Sequence, residues 1–287
     1  MKILLTGSSG YVGKNFMMQY KNKYEFIPFS LQNSTLESIN FAGIETIFHC
    51  AALVHQKRES SYEKYYEINA EYPLRLAKEA KACGVKQFVF MSSVAVYGEG
   101  YSLLKEDTPC NPTTSYGKSK LKAEQELQSL ADENFIVSIV RAPMVYGKEA
   151  PGNIASLITL VKKMPFLPFG GIKNRRSFVY IKNLCFFVDE VIGQKKEGLF
   201  LACDDEVLST TRLVELIVKE LNKKVYLLKV PFFETFLQLL KPSFHKRLYK
   251  SLEVDNTQTK KRLFGDAKAS LPFGAEEGIH CMIKGEF

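Results

Sequence analysis

Three evenly spaced glycines near the start of the chain place the strongest constraint on its fold. Gly7, Gly10 and Gly13 directly follow the apolar run at residues 3–5. In such a pattern the first glycine permits a tight turn, the second lets backbone amides approach a diphosphate, and the third allows a helix to pack closely on a strand. The sequence therefore predicts a buried strand over residues 2–6, a dinucleotide-binding loop and a helix over residues 11–21. Because the start of a helix attracts phosphate, the contacts are assigned to Gly7, Gly10, Tyr11, Val12 and Gly13.

Short apolar runs alternate with helical patterns along the first half of the chain. The strand-like runs cover residues 2–6, 24–29, 45–51, 87–92 and 135–141, and the helical patterns cover residues 11–21, 62–83 and 115–133. This alternation is typical of a doubly wound parallel sheet with helices on both faces. The predicted fold class is therefore α/β, a Rossmann sheet followed by a smaller C-terminal mixed α/β lobe.

A change of composition marks the predicted boundary between these two parts. After residues 141–147, proline and glycine cluster as far as Gly171, which is typical of a substrate-facing lobe. We predict an NAD(P)-binding domain over residues 1–150 and a substrate-binding lobe over residues 151–287. Strands near residues 176–181 and 198–202 are expected to return to the main sheet.

A second motif supplies candidate catalytic groups. Tyr116 and Lys120 are four residues apart, so a helix places both on one face, and Ser93 ends the fourth strand-like run. A lysine ammonium, a bound nicotinamide cation and a hydrogen bond are together expected to lower the tyrosine pKa from about 10 to about 7. Tyr116 would then exchange a proton with a substrate oxygen that Ser93 also holds, which indicates hydride transfer on an alcohol or ketone. On the same helix, Glu124 and Gln128 are expected on the solvent side.

The composition narrows the partners and the compartment. The 287 residues carry a net charge of +8, but no stretch combines basic and aromatic residues as nucleic-acid-binding modules do. No apolar run is long enough for a membrane span and no export signal is seen, so a cytoplasmic protein is expected. The six cysteines form no Cys-x-x-Cys pair, and no metal site is predicted. Residues 231–240 are interpreted as part of the lobe's core, with a membrane-surface helix as the alternative.

The residue at the end of the second strand-like run bears on the choice of cofactor. An acidic residue at this place binds the adenosine ribose and selects NAD, whereas this chain has Ser30. The serine removes a charge that would repel a 2′-phosphate, but no arginine stands beside it. Both NAD and NADP therefore stay open.

Taken together, these residues resemble the extended short-chain dehydrogenase/reductase family, in its nucleotide-sugar epimerase/dehydratase branch. The resemblance covers nearly the whole chain and includes residues 48–52, 92–98 and 141–143 besides the two motifs. It implies an NAD- or NADP-dependent enzyme that binds a UDP-sugar in its C-terminal lobe and forms a homodimer through the helices at 62–83 and 115–133. The implied cofactor contacts include Ser30, Ala51, Ala52, Asn69, Tyr116, Lys120, Pro143 and Val145. The implied substrate contacts are Ser93, Asn153 at the diphosphate, Arg176 at the nucleotide, and Arg247.

Departures from the family's pattern narrow the reaction. Val94 and Ala95 stand where the 4,6-dehydratases carry an acidic pair, so dehydration is not expected. Val54 and Ser30 replace a lysine and an acidic residue of the 4-epimerases, which fits an exchangeable cofactor. The first hypothesis is therefore a ketoreductase that reduces carbon 4 of a UDP-4-keto-6-deoxy-N-acetylhexosamine for bacterial polysaccharide synthesis. Residues 54–55, 167–170 and 174–177 carry this subgroup resemblance.

Two other hypotheses stay open. A UDP-glucose or UDP-N-acetylglucosamine 4-epimerase would use the same serine, tyrosine and lysine, and tightly held NAD would favour it. A non-catalytic dinucleotide-binding sensor is the third hypothesis, although sensors of this kind typically lose the tyrosine or the lysine.

Overall fold

A computed structural model describes residues 1–30, 35–54 and 61–285, with the exception of the Asn153 side chain. The strands are β1 (Lys2–Thr6), β2 (Glu25–Phe29), β3 (Thr46–His49), β4 (Gln87–Ser93), β5 (Leu103–Leu104), β6 (Ile136–Ala142), β7 (Met144–Tyr146), β8 (Phe166–Leu167), β9 (Phe178–Tyr180), β10 (Gly198–Leu201), β11 (Tyr226–Leu227) and β12 (Glu253–Val254). The α-helices are α1 (Tyr11–Tyr20), α2 (Tyr62–Tyr66), α3 (Tyr72–Ala82), α4 (Ser115–Gln128), α5 (Asn153–Lys163), α6 (Ile181–Gly193), α7 (Thr210–Glu220), α8 (Phe233–Leu240), α9 (Pro242–Tyr249), α10 (Thr257–Phe264) and α11 (Ala275–Lys284). A π-helical turn, Glu67–Glu71, joins α2 to α3.

Parallel strands form the central sheet, in the order β2-β1-β3-β4-β6-β10 within the described residues. From β1 the chain first moves outward to β2, and from β3 onward it moves in the opposite direction to β10. The reversal therefore lies between β1 and β3. This topology confirms the predicted α/β Rossmann fold class.

Helices cover both faces of this sheet and explain the unbroken apolar runs of its strands. Along β1, Ile3 and Leu5 belong to the core beneath α1 and α6, whereas Leu4 belongs to the core beneath α3 and α4. Successive strand residues point to opposite faces, so a strand buried on both faces needs apolar residues at every position. The burial of all three residues is complete.

The C-terminal lobe is built from helices and short paired strands. β8 pairs with β11, and β12 pairs with β5. Among the helices described, none has both the length and the apolar character needed to cross a bilayer. The division into domains at residue 150 stays a prediction.

Two sequence-based expectations are wrong. The strand near residues 176–181 does not return to the main sheet, because β9 pairs with β7 in a separate two-stranded sheet, whereas β10 pairs with β6 in the main sheet. Glu124 does not face solvent but is buried, although Gln128 is exposed as expected. Strand pairing and the position of a buried partner are tertiary properties, and the local pattern of residues does not encode them.

Candidate active site

The candidate site lies at the carboxyl ends of the sheet strands, where the chain reverses direction between β1 and β3. Gly7 follows β1 with a φ of +72°, and a Cβ there would stand 2.6 Å from the backbone nitrogen of Ala51. A Cβ on Gly13 would collide with the carbonyl oxygen of Gly7. Glycine is therefore required at both positions. In doubly wound sheets the ligand crevice opens at this reversal.

The first turn of α1 faces this crevice. Gly10 caps the helix in an extended conformation, and no side chain caps it. The first N–H groups of a helix lack intrahelical acceptors and attract an anion. Tyr11 and Val12 are the first two residues of α1, so their backbone N–H groups are among these, whereas the Tyr11 hydroxyl is buried. These residues fit the diphosphate of a dinucleotide.

Other predicted cofactor residues lie at the same edge of the sheet. Ser30 follows β2, whose register places Phe29 opposite Thr6, the residue before Gly7. Ala51 and Ala52 follow β3 and are half-buried. The structure thus brings these positions to one edge, and their contact with a cofactor stays a prediction.

Asn69 holds the segment that lies beside the glycine loop. Its side-chain oxygen accepts from the Leu53 N–H at 2.8 Å, and its amide nitrogen donates to the Leu53 carbonyl at 3.0 Å and to the Ser119 hydroxyl at 3.1 Å. The side chain is fully buried within the π-helical turn. Asn69 therefore positions residues 51–54. Its direct contact with the cofactor stays a prediction.

Ser93, Tyr116 and Lys120 meet at the end of β4. The Tyr116 hydroxyl is hydrogen-bonded with Ser93, whose own oxygen accepts from the Ala95 N–H at 3.2 Å. The buried Lys120 Nζ donates to the Met91 carbonyl at 2.8 Å. The i, i+4 spacing on α4 thus puts both side chains against the same strand, as the sequence predicts.

The electrostatics of this trio differ from the expectation. Burial raises the pKa of Tyr116 to about 12, and the hydrogen bond with Ser93 opposes that rise. Burial also lowers the pKa of Lys120 to about 8, although Glu124 and Cys50 favour its charged form. Among the protein groups alone desolvation dominates, and the lowering of the tyrosine pKa by Lys120 together with a bound nicotinamide cation stays a prediction. With the protein groups alone Tyr116 is a phenol at neutral pH, so accepting a proton from a substrate hydroxyl requires further stabilisation of its phenolate.

His49 is a neighbour of this trio that the motif analysis did not single out. It is fully buried at the end of β3, and its Nδ1 lies 2.9 Å from the Thr6 hydroxyl oxygen. Burial lowers its pKa to about 3, with the Lys120 charge as the next cause. The imidazole is therefore neutral at physiological pH and adds no charge beside the lysine.

A buried ion pair behind the trio was also missed. Arg141 donates two hydrogen bonds to the Glu124 carboxylate, from Nε at 3.0 Å and from Nη2 at 2.5 Å, and the Ser92 hydroxyl donates to the same carboxylate. Both charged side chains are almost wholly excluded from solvent. The ion pair joins α4 to β6, and the Ser92 hydrogen bond joins the same carboxylate to β4, next to Ser93. A carboxylate four residues after Lys120 was the available signal, because it continues the face that carries Tyr116 and Lys120.

The predicted substrate residues lie in different parts of the lobe. The Arg176 guanidinium donates to the Lys250 carbonyl at 3.0 Å, and burial, followed by the charge of Arg247, lowers its pKa. Two neighbouring guanidinium groups repel each other, so an anion between them would be stabilised. Asn153 is the first residue of α5, and its side chain lies outside the described residues.

The remaining predicted residues belong to the segments around β7 and after β3. Pro143 is buried between β6 and β7, and Val145 is half-buried within β7. Val54, the position where 4-epimerases carry a lysine, is exposed, and His55 lies outside the described residues.

Comparison with known proteins identifies the family. Residues 3–200 match the NAD dependent epimerase/dehydratase family. The chain is 34% identical to a UDP-glucose 4-epimerase of Vibrio cholerae, over 98% of this chain and 95% of the relative. It is 27% identical to an N-acetyl-α-D-glucosaminyl-diphospho-ditrans,octacis-undecaprenol 4-epimerase of Escherichia coli O157:H7, over 80% of this chain and 75% of the relative.

Solved structures share the fold. The crystal structure of a UDP-glucuronic acid 4-epimerase from Bacillus cereus with NAD superposes with a TM-score of 0.77, at 19% identity, over 99% of this chain and 98% of that chain. The comparisons confirm that the protein is an enzyme and that its cofactor is NAD or NADP. They also confirm the resemblance found in the sequence: the chain belongs to the NAD dependent epimerase/dehydratase family.

Proposed function

We propose that the protein is a 4-epimerase of a hexose joined to a diphosphate, with a UDP-sugar as the first candidate substrate. The observation that carries the proposal is the hydrogen-bonded Ser93 and Tyr116 pair at the end of β4, with the Lys120 ammonium behind it. The full-length similarity to a UDP-glucose 4-epimerase supports this reaction.

The side chains of the trio have complementary tasks. A bound nicotinamide supplies the hydride chemistry at carbon 4. Tyr116 holds a proton at the substrate oxygen and exchanges it as that oxygen changes between hydroxyl and carbonyl. Ser93 holds the same oxygen through its hydroxyl. The Lys120 cation, charged below about pH 8, favours negative charge that develops at the tyrosine oxygen.

The diphosphate is the common element of the substrates named for the relatives. It is joined to uridine in one relative and to undecaprenol in the other. Arg176 and Arg247 offer neighbouring guanidinium groups, which grip phosphate oxygens through forked hydrogen bonds. We assign the diphosphate to these two arginines.

A 4-ketoreductase is the second candidate, because of two residues at the cofactor edge. Ser30 stands where an acidic residue would hold NAD, and Val54 is exposed. A net reductase must release its oxidised cofactor after each turnover, whereas an epimerase retains it. These two residues favour release.

Two assays on the purified protein separate the candidates. In the first, UDP-glucose and UDP-N-acetylglucosamine are incubated with a trace of NAD, and the 4-epimers are measured by proton NMR. In the second, a UDP-4-keto-6-deoxy-N-acetylhexosamine is added with NADH or NADPH, and absorbance at 340 nm is followed. Epimer formation without cofactor consumption supports the first candidate. A loss of absorbance stoichiometric with the keto-sugar, with no epimer formed in the first assay, would replace the 4-epimerase with the 4-ketoreductase.

The variant Tyr116→Phe tests the assignment of the proton carrier. Removal of a general acid–base group is expected to lower turnover about 100-fold or more while the cofactor still binds. The matched control Tyr226→Phe, at an exposed position in β11, is expected to retain turnover. Full activity of Tyr116→Phe would contradict the assignment.

The assembly and location are part of the same proposal. We infer a cytoplasmic homodimer in which α2, α3 and α4 face a second copy. α2 and α3 each contact α4 within the subunit, which supports a joint role of the three helices. Sedimentation equilibrium measures the mass of the assembly, and the mass of a single chain would contradict the dimer.

A further inference from the structure

Two neighbouring segments of the C-terminal lobe expose large apolar side chains to solvent. The first is the strand pair β8 and β11 with its continuation to residue 230, and the second is α8 with the residue before it. Phe232 is 87% exposed, Leu239 76% and Leu240 64%. Exposed apolar patches of this kind mark sites of interaction with a partner or a membrane. We call the exposed apolar side chains of the two segments the apolar face.

The strand part of the apolar face follows from strand geometry. Phe166 and Tyr226 are opposite each other in β8 and β11, with ring centroids 5.5 Å apart and nearly parallel planes. Alternate residues of an extended chain point to the same side, which adds Met164, Leu228 and Val230, and all five are exposed.

The helix part follows from the broad apolar stripe of α8. Phe233 and Leu237 are four residues apart and pack against the core of the lobe. Phe236 and Leu239 extend the apolar stripe of α8 away from these two residues and are exposed, and Leu240 is exposed at the end of the helix. The interpretation of residues 231–240 as lobe core is therefore correct for Phe233 and Leu237 only, and the apolar stripe of α8 is wider than the part that the core covers.

Phe232 completes the helix part in an unfavourable backbone conformation. Its φ is +61°, in the left-handed region that bulky residues rarely adopt. The residue joins the strand part to the helix part and directs its ring into solvent. Strain of this kind persists at binding sites more often than elsewhere.

Basic residues outnumber acidic ones in the segment that carries most of the apolar face. Residues 223–250 contain seven lysines and arginines and one acidic residue, Glu234, and its carboxylate lies 3.2 Å from the His245 ring. Lys162 and Lys163 add charge where α5 leads into β8, beside Lys223 and Lys224. An apolar surface with a rim of lysine and arginine matches the interface of a bilayer that contains anionic lipids.

We propose that the apolar face binds the surface of a bilayer rich in anionic phospholipids, with the phenylalanine and leucine side chains inserted among the acyl chains. A second copy of the chain fits less well, because a two-fold axis would set this basic rim against itself. Since α9 packs on α8 and carries Arg247, the bound enzyme would hold its candidate diphosphate site close to the lipid headgroups. The proposal rests on this surface alone and does not depend on the sugar or on the reaction.

Vesicle sedimentation tests the proposal. The full-length protein is incubated with vesicles of phosphatidylcholine alone, or of phosphatidylcholine and phosphatidylglycerol in equal parts, at low and at high salt. We expect binding to the anionic vesicles that weakens as salt is raised. The double variant Phe236→Ser/Leu239→Ser should bind at least about tenfold more weakly. The variants Lys229→Gln and Lys241→Gln should each bind the anionic vesicles about fivefold more weakly.

The matched control is Met18→Ser/Leu103→Ser, which removes two exposed apolar side chains outside the apolar face and should bind like the wild type. Melting temperatures confirm that each variant is folded. Absence of binding to either vesicle would overturn the proposal, and so would equal losses in the double variant and the control. Equal binding to neutral vesicles would overturn the role of the basic rim. If the protein does not bind vesicles and forms a dimer that Phe236→Ser/Leu239→Ser dissociates, the apolar face would be assigned to a second copy.

Discussion

Lys120 holds an ammonium group in a place that water does not reach. Its Nζ contacts the Met91 carbonyl and lies 4.3 Å from the centroid of the Phe90 ring. Desolvation disfavours a charged amine, and the carbonyl and the ring only partly replace water. The spacing of Tyr116 and Lys120 was visible in the sequence. Their burial was not, because it depends on β4 and the segments that pack around it.

The buried amine should make stability depend on pH in a defined direction. Below about pH 8 the lysine is protonated in both the folded and unfolded chain. Between about pH 8 and 10.5 the folded chain has lost the proton that the unfolded chain keeps, so this group makes stability rise with pH. As the pH rises, the free energy of unfolding in urea should therefore increase for the wild type relative to Lys120→Met, by up to about 3 kcal/mol. A constant difference across this range would contradict the assignment.

The elements show how far a local pattern reaches. The positions of the sheet strands and of the helices that cover them follow from apolar periodicity. The ends of α1 and β4 lie within one residue of the predicted ends. The pairing of β9 and the burial of Glu124 could not be predicted, because both depend on residues far away in the chain. For α4 a partial signal existed, since Glu124 continues the face of Tyr116 and Lys120 at the same spacing of four.

The ion pair between α4 and β6 should be a strong determinant of stability. Glu124→Gln would leave the Arg141 guanidinium buried without its counter-charge, at an expected cost of about 3–5 kcal/mol. The matched control Glu25→Gln removes a carboxylate whose partner is Lys2 at 3.1 Å, in an exposed pair, and should cost less than about 1 kcal/mol. Both values are measured by urea unfolding at neutral pH. Similar costs for the two variants would show that the buried pair is not needed.

For the whole molecule, cofactor binding and folding are linked. A ligand that binds only the folded chain raises stability, by about 2.7 kcal/mol at a concentration one hundred times its dissociation constant. The glycine loop and the first turn of α1 are shared by NAD and NADP, so the choice between them depends on the edge of the sheet at β2. The sequence identified this edge through Ser30 but left the preference open, since neither a repelling carboxylate nor an attracting arginine stands there.

Thermal unfolding with each cofactor tests this edge. Wild-type protein should be stabilised by both NAD and NADP, because a serine repels neither. Ser30→Asp should keep the shift with NAD and lose the shift with NADP, since the carboxylate would face a 2′-phosphate. Ser270→Asp, at an exposed position in the lobe, is the control and should behave like the wild type. An unchanged NADP shift in Ser30→Asp would place the adenosine ribose elsewhere.

The π-helical turn between α2 and α3 has an evolutionary consequence. Such a turn contains one residue more than an α-helix needs and commonly occurs at functional sites. Loss of that residue would rotate α2 by about 100° relative to α3, and Asn69 would no longer face Leu53. Selection against single-residue deletions should therefore be strong at Glu67–Glu71. Relatives that have an uninterrupted helix here must hold residues 51–54 with a different side chain.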